Sequence, residues 1–330
     1  MDREPIDRAS QYDRWIRAVY SNSAIVTQFD DGRTRWPTVG QIPTCSASMP
    51  SVVAGMLDHL DVKNGHSVLE IGTGTGFSAA LLSELVGASG DVTTVEIDRQ
   101  VADTARDRLT GFDRVHTVLG DATISTFKSA PFDRVISTAS VHLGRVPYLW
   151  VQQTKPGGVI VTPVRADLTS GPLVRFIVNE DGTATGRMVP MGVSFMEVRS
   201  QRTAATPVDD FDWRDDTAEH RTTTIKPWLM FSDIVSRWAL AVALPSCRYN
   251  MGENDFVWLR DPVSRSWASV VPEGDRRFLI RQKGIRRLWD EAESAYRWWI
   301  DQGKPVGPDW VWTITPEHQT IHLGAPAGLC

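Results

Sequence analysis

The sequence predicts an α/β fold. A Rossmann-like, doubly wound parallel sheet occupies residues 1–200, and a smaller α+β region rich in tryptophan occupies residues 201–330. Three observations carry this. First, Val68-Leu69-Glu70-Ile71-Gly72-Thr73-Gly74-Thr75-Gly76-Phe77 reads as a buried strand entering a glycine turn and then a helix. Second, two β-branched runs, Val92–Val95 and Val115–Leu119, each precede an acid, Glu96 and Asp121. Strands that alternate with helical segments imply parallel pairing with helices on both faces. Third, ten of the 13 tryptophans lie beyond residue 200, and the polar, acidic stretch from Ser200 to Thr223 reads as a connector.

In chain order, Tyr12 to Tyr20 is amphipathic, and Asp30-Asp31-Gly32 marks a turn. Helix is expected over 52–60, strand over 67–71, helix over 77–86, strand over 92–95, helix over 100–109, and strands over 115–119 and 132–137. Lys155-Pro156-Gly157-Gly158 reads as a turn before a strand over 159–164. Further on, 225–244 reads as one apolar helix and 255–271 as two strands around Arg260-Asp261-Pro262. An amphipathic helix over 284–300 places Ile285, Leu288, Trp289, Ala292, Tyr296 and Trp299 on one face. The segment 310–323 reads as a hairpin around Thr315-Pro316-Glu317. The tryptophans of this region serve either as core or as binding surface, core being the commoner use.

Ligands of such sheets bind outside the carboxyl ends of the strands, where these glycines and acids fall. Glycines at 72, 74 and 76 clear side chains from the turn. The spacing is Gly-x-Gly-x-Gly rather than the dinucleotide Gly-x-Gly-x-x-Gly, and no lysine is supplied for a phosphate. Glu96 can accept both hydroxyl protons of a ribose, and Asp121 can reach an adenine amino group. The pocket therefore suits S-adenosylmethionine (SAM), with Glu70, Ile71, Gly72, Thr73, Gly74, Gly76, Glu96, Ile97, Gly120, Asp121 and Ala122 as its candidate residues. Asp98 precedes a helical run and reads as its N-cap. Glu70 is open between a pocket carboxylate and an acid placed for the helix dipole.

A net charge of −5 argues against a nucleic-acid footprint, and no segment suits a membrane span. The N-terminal residues do not resemble a signal peptide. Cys45, Cys247 and Cys330 have no metal-ligand spacing and read as thiols of a reducing, cytoplasmic compartment, and no metal site is expected.

The first 200 residues resemble the protein-L-isoaspartate O-methyltransferase family. The resemblance rests on an ordered series: Ser46-Ala47-Ser48-Met49-Pro50, Val68 to Phe77, Ala130-Pro131-Phe132-Asp133 with Ile136-Ser137-Thr138-Ala139, Gln153 to Gly158, Val161-Thr162-Pro163-Val164, and a closing strand at Met191-Gly192-Val193-Ser194-Phe195. It implies a class I SAM-dependent methyltransferase that esterifies a carboxylate. The chain departs from the family's repair enzymes in two places. It has Ala139-Ser140-Val141-His142 where they carry Ala-Ala-Pro, and it continues well past the closing strand, where they usually end soon after it. In this it is similar to the methyltransferases associated with ribosomally made, ATP-grasp-crosslinked peptides. That likeness implies an aspartate side chain of a crosslinked precursor peptide as substrate, with the ester closing to an aspartimide.

An aspartate carboxylate has a pKa of about 3.9 and is already nucleophilic at neutral pH. The site must align and dehydrate it rather than deprotonate it. Ser46 and Ser48 sit where the resemblance places orienting hydroxyls, and a helix N-cap ahead of Pro50 is the other use of a serine there. His142 lies past the fourth strand, as a group for the substrate or as a surface histidine. The basic run Arg276-Arg277, Arg281, Lys283, Arg286-Arg287 suits an acidic peptide or a solvated face, with Glu253, Asp255 and Asp261 nearby to neutralise it. Isoaspartyl repair is a second reading of the chain and a non-catalytic SAM-binding scaffold a third.

Overall fold

The computed structural model describes residues 4–202, 207–252, 255–274 and 276–324. The chain opens with α1 (Tyr12–Val19) and a separate antiparallel pair, β1 (Ile25–Phe29) with β2 (Pro43–Ala47). The alternating part follows: α2 (Pro50–Leu60), β3 (Ser67–Ile71), α3 (Phe77–Val86), β4 (Asp91–Glu96), α4 (Arg99–Arg108), β5 (Val115–Leu119), β6 (Phe132–Ser137), the two-residue β7 (Val141–His142), α5 (Tyr148–Gln152), β8 (Thr154–Arg165), β9 (Pro172–Val178) and β10 (Ala184–Gly192). The remainder comprises β11 (Glu219–Thr223), α6 (Pro227–Phe231), α7 (Ile234–Ala243), β12 (Arg248–Met251), β13 (Val257–Arg260), β14 (Trp267–Pro272), β15 (Phe278–Lys283), α8 (Leu288–Asp301), β16 (Trp310–Ile314) and β17 (Gln319–Leu323).

The main sheet runs β17-β16-β10-β9-β8-β6-β3-β4-β5. From β8 to β5 all pairings are parallel; from β8 to β17 they are antiparallel. The parallel half matches the sequence reading, because its strands bury both faces: Val68 to Ile71 and Val92 to Glu96 are buried without a break. The helices present apolar stripes to it, with Val53, Met56 and Leu60 of α2 and Ala79, Leu82 and Val86 of α3 all buried.

The antiparallel half corrects the expectation of a purely parallel sheet. β9 and β10 form a meander on the edge of β8, and β16 then pairs with β10. The 310–323 hairpin thus belongs to the main sheet, which draws strands from both sides of residue 200. A second, five-stranded antiparallel sheet, β11-β15-β14-β13-β12, packs against α8. One continuous core joins the sheets, with Leu69, Ile160 and Phe176 in the same cluster as Phe231, Val270, Trp289 and Trp312. Trp150, Trp289 and Trp312 are among the largest fully buried side chains, so core is their use; Trp228 stays exposed.

Five further expectations change. The 225–244 helix is two, α6 and α7, because Asp233 adopts extended backbone and its side chain caps α7 through the Ser236 N–H at 3.2 Å. Ile285 precedes α8 and is 89% exposed, while the other five residues of its predicted face are buried. Lys155 to Gly158 form an excursion within β8, where the register against β6 slips between Phe132↔Thr154 and Arg134↔Val159. The closing strand stops at Gly192, because residues 193–198 leave β9 and bond to the chain after β6. The 207–218 connector is a packed strap, with Phe211 and Trp213 against Trp267. Among the described residues no helix is long and apolar enough to cross a membrane, and no metal-binding cluster occurs. Cys45 and Cys247 are buried free thiols, whereas Cys330 and Glu253 lie outside the described residues.

Candidate functional site

A cavity of about 530 Å³ opens at the carboxyl ends of β3, β4 and β5. Ile71, Gly72, Thr73, Gly74, Glu96, Ile97, Gly120, Asp121 and Ala122 line it, so nine of the eleven predicted pocket residues meet in one place. The strand-to-helix turn works because Gly72 takes φ +90° and leaves no room for a side chain: a Cβ there would stand 2.8 Å from Thr138 Oγ1. Thr138 instead donates its hydroxyl to Gly72 O at 2.7 Å, tying the turn to the end of β6.

Glu96 accepts the Gly74 N–H at 3.1 Å on one oxygen and the Asp98 N–H at 3.0 Å on the other. It therefore holds the glycine turn while retaining lone pairs for a diol. Asp98 caps α4 through the N–H groups of Gln100 and Val101, as expected. Burial raises its carboxyl, but the Val101 N–H and Arg199 more than offset this and leave it below the usual range. Asp121 accepts from the Thr123 N–H and hydroxyl through one oxygen, and the other is unengaged among the described residues.

Glu70 and Gly76 are not on the cavity wall. Glu70 is fully buried behind the turn, accepting from Ser78 and, at 2.6 Å, from Thr94, whose hydroxyl also meets Thr73 Oγ1 at 2.7 Å. Burial pushes its carboxyl up to about 7, against those hydrogen bonds and with a small addition from Glu96. Glu70 thus organises the turn from beneath and does not line the cavity.

The rest of the wall comes from elements far apart in sequence. Ser46, at the end of β2, and Ser48 line the cavity together with Cys45 and Met49. Neither serine caps α2: the capping position is Met49, without a side-chain bond, and the first-turn Ser51 N–H goes to Asn22 Oδ1 at 3.0 Å. Among the described residues the Ser46 and Ser48 hydroxyls have no partner. His142 does not line the cavity. It is buried behind Glu197, with Nε2 3.2 Å from Glu197 Oε1.

Residues 193–202 complete the enclosure, and the sequence reading did not place them there. The Ser140 N–H bonds Met196 O at 2.7 Å, its hydroxyl bonds Phe195 O at 2.9 Å, and the Val198 N–H bonds Ser140 O at 2.8 Å. The His142 N–H reaches Gln201 Oε1 at 2.8 Å. Arg199 and Arg202, both on the rim, pair with Asp31 at 3.2 and 2.8 Å, and Arg199 also pairs with Asp98. The only hint of this in the sequence was the Asp30-Asp31-Gly32 turn. Of the basic run, Arg281, Lys283, Arg286 and Arg287 are partnered internally, which removes most of the basic face expected to dock an acidic peptide.

These residues suit an adenosyl cofactor: a turn with no space for a Cβ, a carboxylate beyond it and a second acid on the next strand. The protein-L-isoaspartate(D-aspartate) O-methyltransferase family profile matches residues 4–203. The chain is 36% identical over 146 residues to the protein-L-isoaspartate O-methyltransferase of Ignicoccus hospitalis, covering 44% of this chain and 68% of that one. It is 44% identical over 129 residues to that of Methanopyrus kandleri, covering 38% of this chain and about half (55%) of that one. A solved structure called protein-L-isoaspartate O-methyltransferase matches with a TM-score of 0.52 at 21% identity, over 94% of this chain and 89% of that chain, and so shares the fold. On the family match and the cavity together, the chain belongs to the protein-L-isoaspartate(D-aspartate) O-methyltransferase family and is a SAM-dependent carboxyl O-methyltransferase.

Proposed function

We propose that this enzyme methylates the side-chain carboxylate of an aspartate in a ribosomally made, crosslinked peptide, and that the ester closes to an aspartimide. The observation that carries the reading is the support that Ser140 and His142 give, from behind, to the cavity wall at residues 195–199. The repair enzymes place Ala-Ala-Pro in this stretch, and a proline has no N–H to give. Here backbone N–H groups and side chains of 140–142 hold residues 195–201, of which 195–199 line the cavity.

Bound SAM supplies an electrophilic methyl group. Glu96 and the glycine turn hold the nucleoside, and Asp121 takes the adenine edge. The unengaged hydroxyls of Ser46 and Ser48 donate to the acceptor carboxylate and orient one oxygen without competing for the methyl group. The apolar lining, including Met49, Val52, Val193 and Phe195, excludes water from that oxygen. No general base is required, since the acceptor is ionised at neutral pH.

Isoaspartyl repair is the second reading. The fold match over nearly the whole chain favours it, because a C-terminal region does not separate the two. Mass spectrometry of a crosslinked precursor peptide with SAM decides between them. Transient methylation followed by net loss of water supports the proposal; an unchanged mass together with turnover of a generic isoaspartyl peptide supports repair. Ser48→Ala is expected to lower kcat about tenfold or more, the contribution of a hydrogen bond to a charged group, with SAM affinity unchanged.

A further inference from the structure

We infer that Glu197 reads the peptide backbone beside the reacting acid, accepting the N–H of the residue that follows it. The inference rests on the acceptor being a peptide aspartyl carboxylate. Glu197 lies on the cavity wall and is tethered to the end of β6 by a backbone bridge with Ser140. In the strand order β6-β3-β4-β5, Glu96 and Asp121 hold the nucleoside at the β4–β5 side, which puts Glu197 at the opposite, acceptor side.

The state of its carboxylate is fixed by its neighbours. His142 Nε2 and Arg165 Nε both contact Oε1, at 3.2 and 3.1 Å. Burial alone raises this carboxyl, but His142 and Arg165 overcome it and hold the group ionised. An ionised carboxylate only accepts, so His142 donates to it. Both side chains use the same oxygen. Oε2 has no partner among the described residues and is not sealed from solvent.

An anion on the wall of a site for an anionic substrate is repulsive unless it meets a donor. The reacting carboxylate has none. The N–H groups adjoining it in any peptide are backbone amides, and the following one lies within an imide ring's reach of the reacting carbon. Glu197 is thus a specificity-determining acceptor, and His142 is a positioning residue that acts through it.

The test is a thermodynamic cycle on four short synthetic peptides, Asp-Gly and isoAsp-Gly sequences and their counterparts with N-methylglycine after the acid. Methyl transfer from SAM is followed with wild type and Glu197→Ala. In wild type, N-methylation is expected to lower kcat/KM about tenfold or more, mostly through KM, as befits a hydrogen bond to a charged acceptor. In Glu197→Ala that penalty disappears, while the SAM dissociation constant by calorimetry stays within about twofold of wild type. His142→Gln is expected to shrink the penalty and raise KM with kcat unchanged. Should the alanine variant not fold, isosteric Glu197→Gln keeps the wall and is expected to reduce the penalty to a few-fold, since a neutral acceptor bonds less strongly. An equal penalty in wild type and variant overturns the inference. So does a tenfold loss of SAM affinity with peptide discrimination intact, which assigns Glu197 to the cofactor's ammonium. Where wild type transfers no methyl group to any of the four, the same comparison is made on the crosslinked precursor peptide and its N-methylglycine counterpart, and absence of transfer there too fells the underlying carboxylate reading instead.

Discussion

Replacing Glu70 by glutamine changes how stability depends on pH, by an amount the structure sets. In the folded chain burial raises this carboxyl to about 7 from an ordinary value of 4.5. The folded state keeps the proton over a range where the unfolded state has released it, so stability declines as pH rises from about 4.5 to about 7 and levels off above that. A shift of 2.5 units corresponds to on the order of 3 kcal/mol. Glutamine has the same shape and no charge. Its amide can donate to one of the Ser78 and Thr94 hydroxyls and accept from the other, because each hydroxyl can reverse its role. Urea unfolding of both proteins at intervals between pH 5 and pH 8 measures the difference directly, with all other titrating groups in common. Wild type is expected to lose on the order of 3 kcal/mol relative to Glu70→Gln across that range, most of it below pH 7. Parallel curves, with a difference independent of pH, would refute the claim that the burial of this one carboxyl sets its proton affinity.

Two further outcomes follow from the turn and the rim. Gly72→Ala places a Cβ 2.8 Å from Thr138 Oγ1 at φ +90°, and is expected to cost about 1–3 kcal/mol in thermal or urea unfolding and to weaken SAM binding in calorimetry. Asp31→Asn removes the ion pairs to Arg199 and Arg202 and is expected to speed SAM release a few-fold in stopped-flow. High salt should produce the same change in wild type and little in the variant, since these side chains are partly exposed.

The parallel half of the fold was legible because both its signals are local. Strands buried on both faces read as unbroken apolar runs, and Glu96 closes β4 while Asp121 comes two residues after β5. The Asp98 cap was equally plain, since a cap and its helix are neighbours in sequence. The break at Asp233 had a sequence signal too, a capping acid three residues before the Ser236 N–H it meets, but the apolar run on either side masked it. What was not legible is whatever distant segments assemble. Glu197 meets His142 across 55 residues, and no periodicity announces such a pair. Glu70 stands at a strand end like Glu96, yet one faces the cavity wall and the other is sealed by Ser78 and Thr94. The Trp310–Leu323 hairpin was readable as a hairpin, while its seat beside β10 was not, because β10 itself carries no apolar alternation strong enough to identify it.

That seat has a consequence for how the enzyme is made. β10 is finished at Gly192, yet its neighbour β16 begins only at Trp310. During synthesis the open border of β10 waits, with bare amides and carbonyls, while the intervening helices and second sheet emerge from the ribosome. Trp312, wholly enclosed in the folded protein, arrives only with β16. A version cut after β10 would keep the cavity residues of β3 to β5 and still present a sticky flank, so shortened forms of this enzyme should clump rather than simply work less well.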